Sequence, residues 1–250
     1  MRKFNETLET LSLDKINLIT FLIGLFTTII GVPSSGNIQT ILISIGTSLV
    51  ASSIIAFLSA RYLVRKSKIK DIMERWGLEG IYETRAEMNE SSNRCLFSID
   101  NEMDIIALGM RSFRDAKGSL IKDKVKKGIN LRILTLNPES EFVKQREKDE
   151  NRVQDEIKKT IYDLISWANK LKSIAPNESN VQIKFYNTYP LDSYLRIDNH
   201  IYIGPNMYKK VSQQTISYEF KGNSLGYSYY SSYFNELWFD SSFCKGDFGT

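Results

Sequence analysis

The sequence predicts an α/β domain, a sheet covered by helices, standing behind an N-terminal transmembrane helical hairpin. Three observations carry this expectation. Two long uncharged apolar runs lie near the N-terminus of a chain that is otherwise dense in charge. From residue 102 onward, apolar runs of strand length alternate with amphipathic helical stretches. Several more strand-like runs then lead into a closing aromatic-rich helix, and this order of elements belongs to a sheet layered with helices. A chain of 250 residues accommodates one such domain and an appendage.

The appendage comes first. Ile16–Val32 and Ile38–Ala60 contain no charged residue. The second run is long enough to cross a hydrocarbon core of about 30 Å, and the first sits at the lower limit. Only Pro33–Asn37 separates them, which predicts a tight hairpin. Glu6, Glu9 and Asp14 precede the first run, and no small-residue cleavage site follows it, which argues against a cleaved leader. Arg61, Arg65, Lys66, Lys68 and Lys70 follow the second run directly, while the loop between the runs has no cation. The positive-inside rule then places both termini and the domain in the cytoplasm, with the bilayer as a partner. Thr40, Ser44, Ser48, Ser52, Ala56 and Ala60 recur every fourth residue and lay a small-residue stripe along one helix face. Such a stripe permits close helix packing, against the first run or against another copy, and its length favours assembly into a homodimer or higher homo-oligomer.

Charge and cysteine usage set further expectations. The formal net charge of +4 resides beyond residue 60, because Arg2, Lys3 and Lys15 cancel Glu6, Glu9 and Asp14. So small an excess predicts no nucleic-acid partner, and the basic cluster at Arg61–Lys70 reads as a membrane flank. Cys95, Cys244 and the single histidine, His200, show no metal-ligand spacing, so neither a metal nor a cofactor is expected, and the compartment is a reducing one.

Residues 61–84 read as basic flank and helical stalk, running out near Trp76–Gly80, with a domain over 85–250. Glu102–Ser112 is the first strand, Gly118–Gly128 a short helix stopped by glycine, and Ile129–Ser140 a second strand ending at Asn-Pro. A long charged helix follows, with Val153, Ile157, Ile161, Leu164, Ile165, Ala168 and Leu171 as its buried stripe and a solvated face of Lys and Glu. "NVQIKFYNT" is the third strand, "YLRIDNHIYIG" holds two more around an Asp-Asn turn, and "QTISYEFK" is a sixth. "YSYYSSYFNELWFDS" is the closing helix.

The stretches "DIIALGMRSF", "KKGINLRILTLNPES", "FVKQRE", "YLRIDNHIYIGPNMY" and "YFNELW", spanning about Asp100–Ser242, resemble one half-unit of the phospholipase D superfamily. The resemblance implies a phospholipase D-like sheet and a H-x-K-x4-D motif whose histidine attacks phosphorus while the lysine stabilises the phosphoryl oxygens. Asp198 matches the aspartate of that motif; Leu191 then stands at the histidine position and Ser193 at the lysine position. The motif is therefore degenerate, and His200 is read as a turn residue beside a disabled site. What remains is a pocket shaped for phosphate, with Arg111, Ser112, Asn137, Glu139, Tyr194, Arg196 and Asp198 as expected ligand-binding groups. The alternative for the two arginines is internal ion pairing with Glu139 or Asp198. Enzymes of this superfamily build one site from two facing units, which again implies a homodimer.

The architecture also resembles two-span effectors of bacterial antiphage systems such as CBASS and Panoptes. That resemblance implies a non-enzymatic effector in the bacterial inner membrane, controlled by a phosphate-containing small molecule of the cyclic-nucleotide kind. A membrane-anchored scaffold and a phospholipase D-type phosphodiesterase are the competing expectations.

Overall fold

The computed structural model describes residues 2–59, 62 and 65–246; Ala60 of the small-residue stripe and Arg61 of the basic flank lie outside them. The chain divides into two compact units, Met1–Ile72 and Met73–Thr250.

In the first unit, α1 (Arg2–Gly31) and α2 (Asn37–Leu58) pack along each other. By length and composition α2 qualifies to cross a membrane, with a mean hydropathy of 2.2, whereas the apolar part of α1, Lys15–Gly31, is shorter. Glycines set the closeness of the contact. A Cβ on Gly46 would stand 2.7 Å from the Gly24 carbonyl oxygen and 2.2 Å from Thr28 Oγ1, so the backbones touch there. Hydroxyls of Thr20, Thr28, Thr47 and Ser53 bond the carbonyl four residues back, which conceals their polarity within apolar helices. The face of α2 turned to α1 carries buried Gly46 and Ser53, while Thr40, Ser44, Ser48 and Ser52 of the stripe lie exposed and Ala56 is half-buried. The stripe is thus not the surface that packs against α1.

The second unit is built on one eight-stranded sheet. A helix α3 (Arg65–Trp76) ends at Gly77, whose φ of 64° halts it, and the chain turns at once into strand β1 (Leu78–Tyr82). The expected stalk therefore stops short of residue 84, and its last part is an edge strand. Then follow α4 (Arg85–Phe97), β2 (Glu102–Ile106), α5 (Arg111–Lys126), β3 (Asn130–Leu136), α6 (Glu141–Asp149), α7 (Glu156–Lys172), β4 (Val181–Tyr186), β5 (Ser193–Ile197), β6 (His200–Gly204), β7 (Ser217–Lys221), α8 (Leu225–Phe239) and β8 (Cys244–Lys245). The strand order is β1-β7-β6-β5-β2-β3-β4-β8. β2, β3 and β4 are parallel, joined through α5 and through α6–α7, and every other pairing is antiparallel. The six expected strands are all present, and β1 and β8 extend the two edges.

Alternation along the strands sorts the core onto two faces. Met103, Ile105, Leu131, Ile133, Leu195, Ile197 and Tyr202 pack with Met88 and Leu96 of α4, Ile121 and Val125 of α5, and Leu164, Ala168 and Leu171 of α7. Ile106, Leu134, Tyr194, Ile201 and Ile203 pack on the opposite face with Phe234 and Trp238 of α8.

The expected long charged helix is two helices. The chain leaves helical conformation after Asp149, and Val153, expected in the buried stripe, is 75% exposed in the connection. Nor are the charges only a solvated face: Arg146, Glu147 and Asp149 are buried. Glu147 explains the break. Its carboxylate accepts from the backbone N–H groups of Asp155, Ile157 and Lys158 at 3.0, 2.8 and 3.3 Å, capping α7 from the preceding helix where the N-cap Asp155 makes no side-chain cap.

Asp198 opens the β5–β6 hairpin at φ 46°, and Ile197 pairs with His200 across the turn. Its carboxylate accepts from the N–H groups of Asp100, Asn101 and Glu102 at 2.8, 3.0 and 2.9 Å, fastening the start of β2. Replacing Asp198 by Ala removes three charge-assisted bonds and sets a Cβ-bearing residue without a local acceptor at positive φ, and is expected to cost about 2 kcal/mol or more. Asp198→Asn, which keeps one acceptor and tolerates this conformation, should lose roughly half as much. Thermal unfolding of the full chain in detergent, followed by near-UV circular dichroism, checks the ranking.

Candidate functional site

The carboxyl ends of β2 and β3, where parallel strands release their chains into helices, form the usual crevice of an open α/β sheet. Here a cavity of about 650 Å³ opens between α4 and α5, over Ile105 and Leu195 of the sheet. Its walls carry Arg85, Asn89 and Asn93 from α4, the loop Ala107–Met110, and Arg111, Ser112 and Lys117 from α5. Ser193 and Asn206 close one side, and Glu150, Arg152 and Glu156 the other. Gly109 holds the loop in place: any Cβ there would lie 2.1 Å from Thr160 Oγ1 and 3.0 Å from the Thr160 backbone, so the loop lies directly on α7. Met110, at φ 51°, is the N-cap of α5 and offers no side-chain cap, so the first-turn N–H groups of α5 face the cavity end of the helix unsatisfied by a cap.

Arg85 is the principal cation of this cavity. Its Nη2 donates to the carbonyl oxygens of Gly204 and Pro205 at 3.2 Å each and to Asn206 Oδ1 at 3.3 Å. Its Nε is buried and finds no partner among the described residues, and no carboxylate there reaches ion-pairing distance. Burial first, and then the cation of Arg146, bring its pKa down to about 10. Burial is the larger cause, and the carboxylates of Asp192 and Glu150 offset part of it, so the shift records a desolvated guanidinium.

The structure brings together some of the expected ligand-binding residues and separates others. Arg111, Ser112 and Tyr194 border the cavity. The ring of Tyr194, however, stacks on Phe234 of α8 at 5.2 Å, on the far face of the sheet. Asn137 and Glu139 do not line the cavity. Asn137 Oδ1 accepts from the Glu139 N–H at 2.9 Å, and Glu139 is paired with Lys158 at 2.8 Å and Tyr162 at 2.5 Å. Arg196 is not a cavity residue either. It lies under α8, 2.5 Å from Asp104 and 2.6 Å from Glu102, and its proton affinity rises despite burial because those two carboxylates surround it. Internal ion pairing holds for Arg196, then, but with Asp104 and Glu102 in place of the expected partners. Asp198 is the hairpin fastener described above, one strand length from the cavity.

At the degenerate motif, Leu191 is half-buried against the α8-side core and Ser193 lines the cavity. His200 does not neighbour this site. β5 and β6 pair with Ser193 opposite Gly204 at the cavity end and Ile197 opposite His200 at the other, which separates them by roughly 13 Å at about 3.3 Å per residue. His200 instead lies beside Glu219 and Cys95, with one donor atom of each of the three within 4.8 Å of the others. Sequence spacing showed no such cluster, because the three residues come from α4, β6 and β7.

No family model matches the chain, and no curated protein matches it. Among solved structures, TrmBL2, an archaeal chromatin protein described as showing a novel mode of DNA binding, is 13% identical, with 81% of this chain and 68% of that chain covered and a TM-score of 0.41. NucT from Helicobacter pylori is 13% identical over 67% of this chain and 98% of its own, with a TM-score of 0.42. Phosphatidylserine synthase from Haemophilus influenzae Rd KW20, a phospholipase D superfamily member, is 10% identical over 63% of this chain but only 36% of its own, with a TM-score of 0.43. These values describe a common outline and carry nothing about activity. One expectation is corrected here: with a DNA-binding chromatin protein among the similar structures, nucleic acid is not excluded as a partner, and a net charge of +4 is no ground for excluding it.

The different placements of the two expected arginines predict different consequences. Arg196→Ala leaves buried Asp104 and its neighbour short of a cation and is expected to destabilise the protein by about 3–5 kcal/mol. Arg111, whose side chain is 76% exposed and 3.9 Å from Asp115, should be replaceable by Ala within about 0.5 kcal/mol. Denaturation midpoints of the two full-length variants in detergent make the comparison.

Proposed function

We propose that the chain is a membrane effector of antiphage defence whose α/β domain binds a phosphate-containing second messenger of the cyclic-nucleotide kind, and that the bound ligand controls the assembly of the apolar helices in the bacterial inner membrane. The observation that carries the ligand class is Arg85, a cation on the wall of a 650 Å³ cavity with a buried Nε lacking a partner among the described residues. Arg111, Lys117 and Arg152 add positive charge to the same walls, and planar guanidinium groups suit phosphate oxygens. Glu150 and Glu156 give the cavity mixed polarity, which suits a ligand with base or ribose donors as well as phosphates. The residues lining it include no histidine, so the phosphohistidine that the resemblance implies has no nucleophile there among the described residues.

The apolar helices support the membrane part. Ile19, Leu22, Phe26 and Ile29 of α1, and Ile41, Ile45 and Ile55 of α2, are half or more exposed, a continuous apolar surface suited to lipid. The exposed stripe of Thr40, Ser44, Ser48 and Ser52 offers a second helix-packing surface for another copy. The basic run after α2 supports a cytoplasmic position for the domain.

Calorimetry of the full chain in nanodiscs, against cyclic di- and trinucleotides with a single-stranded oligonucleotide alongside, tests the reading. A cyclic nucleotide should bind. Arg85→Gln, which keeps donors for the loop carbonyls and loses the charge, should weaken it about ten- to a hundred-fold, and Arg111→Ala should also weaken it. Binding of the oligonucleotide alone overturns the messenger in favour of nucleic acid; no binding at all overturns the phosphate site.

A further inference from the structure

On the α4 side of the sheet, away from the strand-end cavity, Cys95, His200 and Glu219 meet in a pattern that no spacing in the sequence shows. Glu219 is at the centre of the cluster. Its Oε1 lies 3.0 Å from His200 Nδ1 and 3.1 Å from the Tyr202 hydroxyl, and Ser91 donates to it at 3.0 Å. Its Oε2 accepts from Ser91 at 2.9 Å and from the Tyr82 hydroxyl. The carboxylate is 5% exposed at its side chain, and the hydroxyls around it fix it where it can hold a protonated imidazole. The Cys95 sulfur in turn lies 3.2 Å from the Tyr202 hydroxyl, within the 4.8 Å cluster that includes His200. A carboxylate orienting an imidazole beside a thiol is the arrangement that activates a sulfur nucleophile.

We propose that Cys95 is a reactive thiolate, paired with His200 and positioned through it by Glu219, and that small hydroperoxides oxidise it to a sulfenic acid. In that step a sulfur lone pair attacks the terminal oxygen of the hydroperoxide and forms the S–O bond. The O–O bond breaks, and the alkoxide or hydroxide leaves with the bonding pair and takes the proton of the His200 imidazolium. Sulfur is oxidised by two electrons and the hydroperoxide is reduced to an alcohol or water. Cys95 and His200 are both partly exposed, which admits a small reactant.

The electrostatics agree with the geometry. Burial opposes ionisation of Cys95, but hydrogen bonds with His200 and Tyr202 outweigh it and bring the thiol below its ordinary value. The bond with Cys95, then that with Glu219, raises His200 to about 10. Burial likewise opposes the Glu219 carboxylate, and His200, Tyr82, Ser91 and Tyr202 together hold it near 2. Burial and the Cys95 contact raise Tyr202, and burial and Glu219 raise Tyr82, so both remain hydroxyl donors. Arg94 also carries charge toward this cluster, through Tyr82. Cys244, buried beneath α8 with its thiol pushed up by burial, is the inert control within the same chain.

The test is hydrogen peroxide treatment of the full-length protein in detergent, with dimedone trapping of sulfenic acid and mass spectrometry of both cysteines from pH 5.5 to 9. Cys95 should be trapped at least about tenfold faster than Cys244 at pH 6.5, with a rate that changes little up to neutrality. His200→Gln should slow trapping about tenfold or more at pH 6.5 and recover it near pH 9, where an ordinary thiol of pKa about 8.5 ionises unaided. Glu219→Gln should move the profile the same way by a smaller amount. Recovery at alkaline pH separates lost activation from lost fold. Trapping of Cys95 no faster than Cys244, a wild-type profile that climbs about tenfold per pH unit like a free thiol, or a stoichiometric zinc that Cys95→Ser abolishes would each overturn the proposal.

Discussion

The sheet of the second unit is organised by one buried carboxylate. Asp104, at 1% exposure in the middle of β2, receives both nitrogens of the Arg132 fork from β3 at 2.7 Å each and the Arg196 guanidinium from β5 at 2.5 Å. Arg132 and Arg196 are also its direct Cα partners in the two neighbouring strands. A slip of one residue in either pairing would send an arginine to the opposite face, among Ile105, Leu195 and Ile133, and leave buried Asp104 with only one of its two cations. Since an uncompensated buried charge costs several kcal/mol, the network specifies register between a parallel and an antiparallel neighbour at once.

That register determines where everything else can be. Arg132 reaches Asn235 Oδ1 at 3.1 Å and lies over the rings of Phe234 and Trp238, so α8 is drawn onto the charged side of the sheet. The aromatic-rich helix thereby covers ionic groups with polarisable rings. Its Tyr227 hydroxyl donates to the Asp198 carbonyl at 2.8 Å. On the other side α4, α5 and α7 close over Ile105, Ile133 and Leu195. Both candidate sites belong to this second side, one at each end of α4: Arg85 begins the helix at the strand-end cavity, and Cys95 stands near its end beside His200.

The two ends differ in how charge is satisfied. At the cavity, Arg85 has no carboxylate within ion-pairing distance among the described residues, and burial lowers its proton affinity. At the Cys95 end, Glu219 is saturated by an imidazole and three hydroxyls, so the potential of the cluster is spent internally on the sulfur. One helix, α4, carries both Arg85 and Cys95, and its Met88 and Leu96 pack into the same core.

The sequence by itself determined what depends on near neighbours in the chain. Alternation and run length located β2 through β7, the Asp-Asn pair marked the β5–β6 turn, and the uncharged runs marked α1 and α2, because period and apolarity are local properties. It placed Arg111 and Ser112 after the first strand of the expected domain for the same reason. Only the tertiary structure decided which partners met. Arg196 and Asp104 are far apart in the chain and become register partners across β5 and β2. Glu147 ends one helix by capping the next, so the stretch read as one amphipathic helix is broken at a point its periodicity does not mark. Arg85 stood at the start of the expected domain with no role assigned to it, and the fold placed it on the cavity wall. Cys95, His200 and Glu219 carry no common spacing, because a site assembled across a helix and two strands is specified by packing in three dimensions. The physical reason is the same throughout: secondary structure answers to local backbone and side-chain preference, whereas the pairing of buried charges is settled by the free energy of leaving them unpaired.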